Sequence, residues 1–341
     1  MTAAPSFWWR SDPGLAAWAL WPASRLWGAA AGWRMARPAR CRPPVPVICV
    51  GNFVVGGAGK TPTAIALARI ARGRGLKPGF LTRGYGGGES GPVLVVESAD
   101  AGGRFGDEAP LLAAAGATVL SHDRAAGAAL LVEEHVDLII MDDGLQNPAL
   151  AKDFVFVAVD AGVGVGNGQV MPAGPLRAPL QLQLRYADVL VVIGEGVAGE
   201  PVVRWAARAG LPTLRARLKP LRVKEWRKGP ILAYAGIGRP EKFFATLAGI
   251  GAPVKKSRAF PDHHRFTDGE VEELLDQASR EKLRLVTTEK DLTRLRGMGN
   301  AATRLADKSE AFPIVLEFEN PVAVGEMIGD ARGRAAARQN L

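Results

Sequence analysis

Along this chain, short runs in which every position is apolar alternate with runs whose apolar residues recur every three or four positions. The first pattern reads as strands covered on both faces, the second as helices packed by one face. Val45-Pro-Val-Ile-Cys-Val50 is a run of the first kind. It enters a glycine-rich turn, and a helical pattern opens at Lys60-Thr61 and continues through Ile65, Leu67 and Ile70. Residues 77–83, 93–96, 117–120, 136–141, 154–160 and 188–193 read as further strands, with a helix around 123–134. Such alternation predicts an α/β fold. Residues 196–229 turn mixed and basic around Pro201, Pro212 and Pro220, which reads as a boundary. The strand-to-glycine theme restarts at Gly229–Gly238, with a helix from Pro240, so a second, smaller α/β lobe is expected. Three parts follow: an amphipathic segment over 1–42, a core domain over 43–225, and a lobe over 226–341 closing the cleft. Residues 330–341 read as a frayed helical tail, and no repeat of fixed period occurs.

The turn after the first strand carries the most specific chemistry. Backbone N–H groups in a glycine-rich turn, backed by a helix N-terminus, cradle phosphate oxygens. Gly56, Gly57, Ala58 and Gly59 supply that turn, Lys60 can neutralise the β- and γ-phosphates, and the Thr61 hydroxyl can hold Mg²⁺. Val54 stands where the P-loop pattern asks for glycine. A plain glycine turn would give no reason for Lys-Thr at this spot. A nucleotide site and a P-loop NTPase-like sheet flanked by helices are therefore expected.

Loops farther along add candidates. Val136–Met141 runs into Asp142-Asp143-Gly-Leu-Gln146, an apolar strand ending in carboxylates, which is how a Walker-B acid meets Mg²⁺. Arg83 and Tyr85 lie among glycines at a strand's C-terminal end, where open α/β sheets place ligand loops. Asp107 and Glu108 precede an apolar helix, as caps or as a general base. Residues 162–179 form a glycine- and proline-rich loop or lid, with Arg177 as its phosphate contact. Asp262-His263-His264 can be solvated or can form an Asp–His pair that tunes proton transfer. Thr287–Asp291 is polar enough to line a cleft between the lobes.

Composition changes the picture mainly at the N-terminus. The net charge is +9, which points to an anionic partner. Arg10, Arg25, Arg34, Arg37, Arg40 and Arg42 face one acid, Asp12, within the first 42 residues. Trp8, Trp9, Trp18, Trp21, Trp27 and Trp33 are there too. Trp8, Leu15, Trp18, Leu26 and Trp33 fall on one side of a helical wheel, within roughly 80°. Pro13 and Pro22 predict two short pieces rather than one rod. Tryptophan with arginine suits a bilayer headgroup region, so a membrane-surface anchor is expected. A buried core helix is the bland alternative. A leader cut near Ala29-Ala30-Ala31 is disfavoured by a nucleotide site, which belongs in the cytoplasm. Two cysteines, Cys41 and Cys49, without ligand spacing argue against a disulfide framework or zinc site. No nucleic-acid motif accompanies the basic charge, so no nucleic-acid partner is expected.

Taken together, Val50–Pro62, Arg83-Gly-Tyr-Gly86, Gly106-Asp-Glu108, Met141–Asn147, Pro172–Arg177, Phe260-Pro-Asp-His263 and Thr288-Glu-Lys-Asp291 resemble tetraacyldisaccharide 4′-kinase, the lipid A 4′-kinase of Gram-negative bacteria. They stand in that family's order and cover nearly the whole chain. The resemblance implies ATP- and Mg²⁺-dependent phosphorylation of the 4′-hydroxyl of a tetraacyl glucosamine disaccharide 1-phosphate. It also implies a peripheral enzyme on the cytoplasmic face of the inner membrane. By the same resemblance Lys60 and Thr61 match the phosphate- and metal-binding pair, and Asp107 matches the catalytic base with His263 as dyad partner. Asp142 and Asp143 match the metal-binding acids, with Gln146 and Arg177 on the nucleotide side. Arg83, Tyr85, Glu108 and Asp262 fall to the lipid substrate. After Pro-Leu-Arg the family usually has glutamate, where Ala178 stands here. Two other P-loop classes compete: a GTPase, whose Asn/Thr-Lys-x-Asp pattern is not matched at Lys290-Asp291, and a metallocentre-assembly ATPase, which usually has lysine where Val55 stands.

Overall fold

Residues Val47–Asn52 are buried at every position, which only a strand covered on both faces allows. In the computed structural model, residues 4–10, 12–96 and 101–339 are described. The strands are β1 (Val47–Asn52), β2 (Pro78–Thr82), β3 (Val93–Leu94), β4 (Thr118–Leu120), β5 (Leu138–Asp142), β6 (Phe154–Asp160), β7 (Val189–Ile193), β8 (Thr213–Pro220), β9 (Ile231–Ala235), β10 (Val254–Ala259), β11 (Arg284–Thr288), β12 (Ser309–Phe312) and β13 (Ile314–Phe318). One sheet runs β13-β8-β7-β6-β1-β5-β2-β4-β3 and a second runs β10-β9-β11-β12.

β1 pairs in parallel with β5 and β6, and β5 with β2. The loops after these four strands therefore emerge at one edge. The second sheet is parallel throughout, so the loops after β9, β10 and β11 also share an edge. The two edges meet at the cleft. Helix Lys60–Gly73 covers the first sheet with Ala64, Leu67, Ala68 and Ala71, all fully buried. Truncating Leu67 to Ala would cost about 2–5 kcal/mol.

Four expectations differ from the structure. The second sheet ends at Phe312; β13 pairs with β8, returning the chain to the first sheet, and helix Pro321–Gln339 follows. The end of the 226–341 segment thus packs on the core. Nor does this helix fray within the described residues. Ala331 and Ala335 are buried, Arg334 bonds Asp188 and Arg338 bonds Asp153.

The N-terminal segment is one 22-residue helix, Gly14–Met35, after a short turn of 3-10 helix at Ser6–Trp9. Pro13 sits at the helix start, where its missing N–H costs nothing, and exposed Pro22 is tolerated inside the helix. The expected stripe also divides. Trp8 is buried, and its indole donates to the Pro172 carbonyl, while Leu15, Trp18, Leu26 and Trp33 are exposed. Ala17, Ser24, Gly28, Ala31 and Met35 make the packed face. Small residues let that face approach the 162–179 loop, where Ser24 Oγ accepts from Ala173 N at 2.9 Å.

Candidate functional site

The glycine turn after β1 is shaped by close approaches. Gly59 has φ +85°, and a Cβ there would stand 2.6 Å from Ile193 at the end of β7. Gly56 has φ +103°, a backbone that L side chains rarely adopt. Val54 has a different role from the glycine the pattern expects. It forms an antiparallel bridge with Leu176, and Val55 N donates to the Pro175 carbonyl, so the 162–179 loop clasps the turn.

Lys60 and Thr61 open the helix and are buried. Lys60 Nζ lies 3.4 Å from the Gly56 carbonyl and 3.8 Å from Asp143 Oδ1. Thr61 Oγ1 donates to Asp142 Oδ2 at 3.1 Å, across from the end of β5. Burial pushes Asp142 up to about 7, helped by repulsion from Glu108 and Asp143. Asp143 is half-buried; desolvation would raise its carboxyl, yet Lys60 and Arg177 hold it down at about 2. Its φ of +54° is uncommon for a non-glycine residue and costs on the order of 1 kcal/mol.

Arg177 was expected at phosphate; here its guanidinium forks onto Asp143 at 2.7 and 3.0 Å and its Nε donates to the Val54 carbonyl. Gln146 Nε2 donates to the Asn52 carbonyl at 2.8 Å and to Gln183, which is fully buried. Asp142 Oδ1 is buried without a hydrogen-bond partner. A buried bare carboxylate oxygen beside a threonine hydroxyl and a second acid is a hard-oxygen donor set that suits Mg²⁺.

Across the cleft, Asp107 lies in the turn between helices Ala101–Phe105 and Ala109–Ala113 and is 4% exposed. Its Oδ2 receives Arg294 Nη2 at 2.6 Å and stands 3.1 Å from His263 Nδ1. Burial pushes its carboxyl up, but the His263 hydrogen bond, Lys290 and Arg294 outweigh this and hold it well below the usual carboxylate range. His263 is raised, chiefly by that same hydrogen bond. It has φ +55°, Asp262 lies 3.9 Å from its other nitrogen, and the Tyr85 ring meets it edge-on at 5.5 Å. Arg83 is exposed on the same loop as Tyr85.

Glu108 pairs with Lys290 at 2.6 Å, which lowers its pKa, and Lys60 contributes to that lowering. The nucleotide and acceptor halves are thus electrostatic neighbours. The fold joins Lys60, Thr61, Asp142, Asp143, Gln146 and Arg177 in one network, and Tyr85, Asp107, Asp262 and His263 in another. Sequence reasoning missed Arg294, Lys290 as the partner of Glu108, and Gln183. Arg294 follows Asp291 by three positions, one helical turn, which was the available signal.

The sequence profile of the family described as tetraacyldisaccharide-1-P 4′-kinase matches residues 16–331. This chain belongs to that family. It is 46% identical over 338 residues to the tetraacyldisaccharide 4′-kinase of Agrobacterium fabrum, covering 99% of this chain and 97% of that protein. It is 48% identical over 336 residues to that of a Bradyrhizobium species, covering 98% of each. The crystal structure of LpxK from Aquifex aeolicus in complex with ATP has a TM-score of 0.71 at 26% identity, covering 93% of this chain and 99% of that one. The chain is a kinase of a tetraacylated disaccharide, and neither the GTPase nor the assembly-ATPase reading is favoured.

Proposed function

We propose that this tetraacyldisaccharide 4′-kinase moves the γ-phosphoryl group of ATP to the 4′-hydroxyl of a lipid A disaccharide 1-phosphate, with Asp107 as general base. The observation that carries the assignment is the Asp107 carboxylate. It is 4% exposed, is held below the usual carboxylate range by His263, Lys290 and Arg294, and keeps Oδ1 without a hydrogen-bond partner while Oδ2 stands 3.1 Å from His263. A sugar hydroxyl is a poor nucleophile at neutral pH, and a placed carboxylate accepts its proton as the O–P bond forms. His263, raised by Asp107, is fit to share that proton.

Gly56, Gly57, Ala58, Gly59 and Lys60 would hold the triphosphate, whose leaving charge Lys60 neutralises. Thr61, Asp142 and Asp143 would hold Mg²⁺, which when bound spreads charge from the β- and γ-oxygens. Arg177 and Gln146 brace Asp143 and the turn from behind. Arg83, Tyr85, Glu108 and Asp262 would receive the disaccharide, with Tyr85 and Asp262 set beside His263. Replacing Asp107 by Ala is expected to cut turnover by about 10²–10⁴-fold while ATP still binds. Undiminished turnover in that variant would remove Asp107 as the base.

The acylated substrate sits in a bilayer, and the N-terminal helix suits one. Leu15 is 89% exposed and Trp33 67%, while Arg25 and Arg37 stack on Trp21 and Trp33. No helix among the described residues is long and apolar enough to cross a membrane. The helix would therefore lie in the headgroup region, at the cytoplasmic face of the inner membrane. Changing Trp18, Leu26 and Trp33 together to Ser is expected to release the protein from anionic vesicles without unfolding it, because none of the three packs inward. Equal vesicle sedimentation of variant and wild type would count against the anchor.

A further inference from the structure

The Thr288–Asp291 motif leads into helix Glu289–Arg296, and this helix turns two cations toward the Gly-Asp-Glu loop. Lys290 takes Glu108, and Arg294, one helical turn later, takes Asp107. Arg294 is itself held. Its Nη1 donates to Asp291 Oδ1 at 2.8 Å and to the Gly236 carbonyl at 3.0 Å. Asp291 is fully buried, and its other oxygen accepts from Gly236 N and the Thr288 hydroxyl. Arg294, 9% exposed, therefore has a fixed plane rather than a free side chain.

We infer that Arg294 is a positioning residue for phosphoryl transfer: clamped by Asp291 and Gly236, it occupies Asp107 Oδ2 and leaves Oδ1 as the oxygen offered to the sugar hydroxyl. This rests on the reading of Asp107 as the base. A planar guanidinium and His263 sharing one oxygen fix the plane of the carboxylate and with it the direction of the second oxygen. Oδ1 is the atom that buries without a partner. The proton taken from the hydroxyl would reside on Oδ1, and the O–P bond forms as the γ-phosphoryl leaves ADP. Both partners of Asp107 Oδ2 come from the smaller sheet's side, His263 from the loop after β10 and Arg294 from the helix after β11, so the base is complete only when that sheet is docked. Gly102 and Gly103 permit the docking: a Cβ on Gly102 would stand 2.2 Å from the Thr293 carbonyl, and one on Gly103 2.7 Å from that of Gly297.

The charged groups facing Asp107 are His263 and Asp262 from the loop after β10, Lys290, Asp291 and Arg294 from the helix, and Glu108 beside it. Arg294 lowers the pKa of both Asp107 and His263. Removing it should therefore raise both, and activity that needs ionised Asp107 should have its acid limb moved to higher pH. Arg294→Met alone would strand Asp291 as an unpaired buried charge, so it is paired with Asp291→Asn; Arg294→Lys is the second variant. The readouts are kcat and KM against pH, with ATP and the tetraacyl disaccharide 1-phosphate in mixed micelles, and an NMR titration of His263.

The double variant is expected to lose kcat about 100-fold with KM for ATP unchanged, its acid limb and the His263 midpoint both moved up. Arg294→Lys keeps the charge but not the fork, so it should lose about tenfold in kcat with the limb in place. A double variant within about twofold of wild type in kcat, with His263 unmoved, would overturn the clamp. Wild-type protein without turnover would remove the kinase reading instead, while the His263 midpoint still reads the clamp.

Discussion

The two halves of the cleft are built by different rules. The nucleotide half comes from one sheet. Gly56–Thr61 follows β1, Asp142 and Asp143 end the neighbouring β5, and Arg177 reaches Asp143 from a loop bridged to Val54. The acceptor half is composite. Asp107 belongs to a short turn by the first sheet, whereas His263, Lys290 and Arg294 arrive from the second. A phosphate cradle needs backbone amides in sequence, so a contiguous stretch can supply it. A base needs charged neighbours at set angles, and these can come from anywhere the fold allows.

That contrast can be broken from either side. Replacing Lys60 with Met should abolish charge neutralisation at the phosphates and cost about 10³-fold in kcat, with Asp107 and His263 still paired in an NMR titration. Coupled loss of the His263 signal shift would show that the halves are not separable. Next in size, Gly102→Val would force the smaller sheet's helix away from the turn that carries Asp107. It should lower kcat about 10–100-fold while leaving ATP affinity within about twofold, as measured by calorimetry. Weakened ATP binding of the same size would merge the two halves.

The last effect concerns stability rather than rate. The carboxyl of Asp142 is raised to about 7 by burial, so the folded state holds its proton more tightly than the unfolded state does. The protein's stability should fall as pH rises from the unfolded carboxylate range through about 7. Asp142→Asn should then stabilise the fold at alkaline pH by on the order of 2–4 kcal/mol, read as a higher melting temperature. Added Mg²⁺ should stabilise the wild type but not this variant. Equal melting curves above neutral pH would mean that Asp142 is not strained by its burial.

Legibility followed the same divide. The strand before the P-loop, the Lys60-Thr61 helix start and the acids ending β5 could be read directly, because strand burial and glycine turns are local properties. Asp107 and His263 were singled out as residues, but Arg294 was not: its i,i+3 spacing from Asp291 marks a helical ion pair, and nothing local marks its partner Asp107, 187 positions earlier. The N-terminal helix was misread in detail for a related reason. Its apolar wheel grouped Trp8 with Leu15, Trp18, Leu26 and Trp33, but packing goes to Trp8 and to a different face, Ala17, Ser24, Gly28, Ala31 and Met35, where Ser24 and Gly28 meet the 162–179 loop. The large aromatics are what remains outside.

By itself, the sequence determined the α/β class, the phosphate turn at Gly56–Thr61 and the carboxylates awaiting it, since these depend on residues near one another along the chain. Only the tertiary structure decided which oxygen of Asp107 stays free, that Arg177 grips Asp143, and that β13 leaves the second sheet for the first. Those outcomes depend on side chains far apart in sequence competing for the same buried partners, and that competition exists only once the two sheets have met.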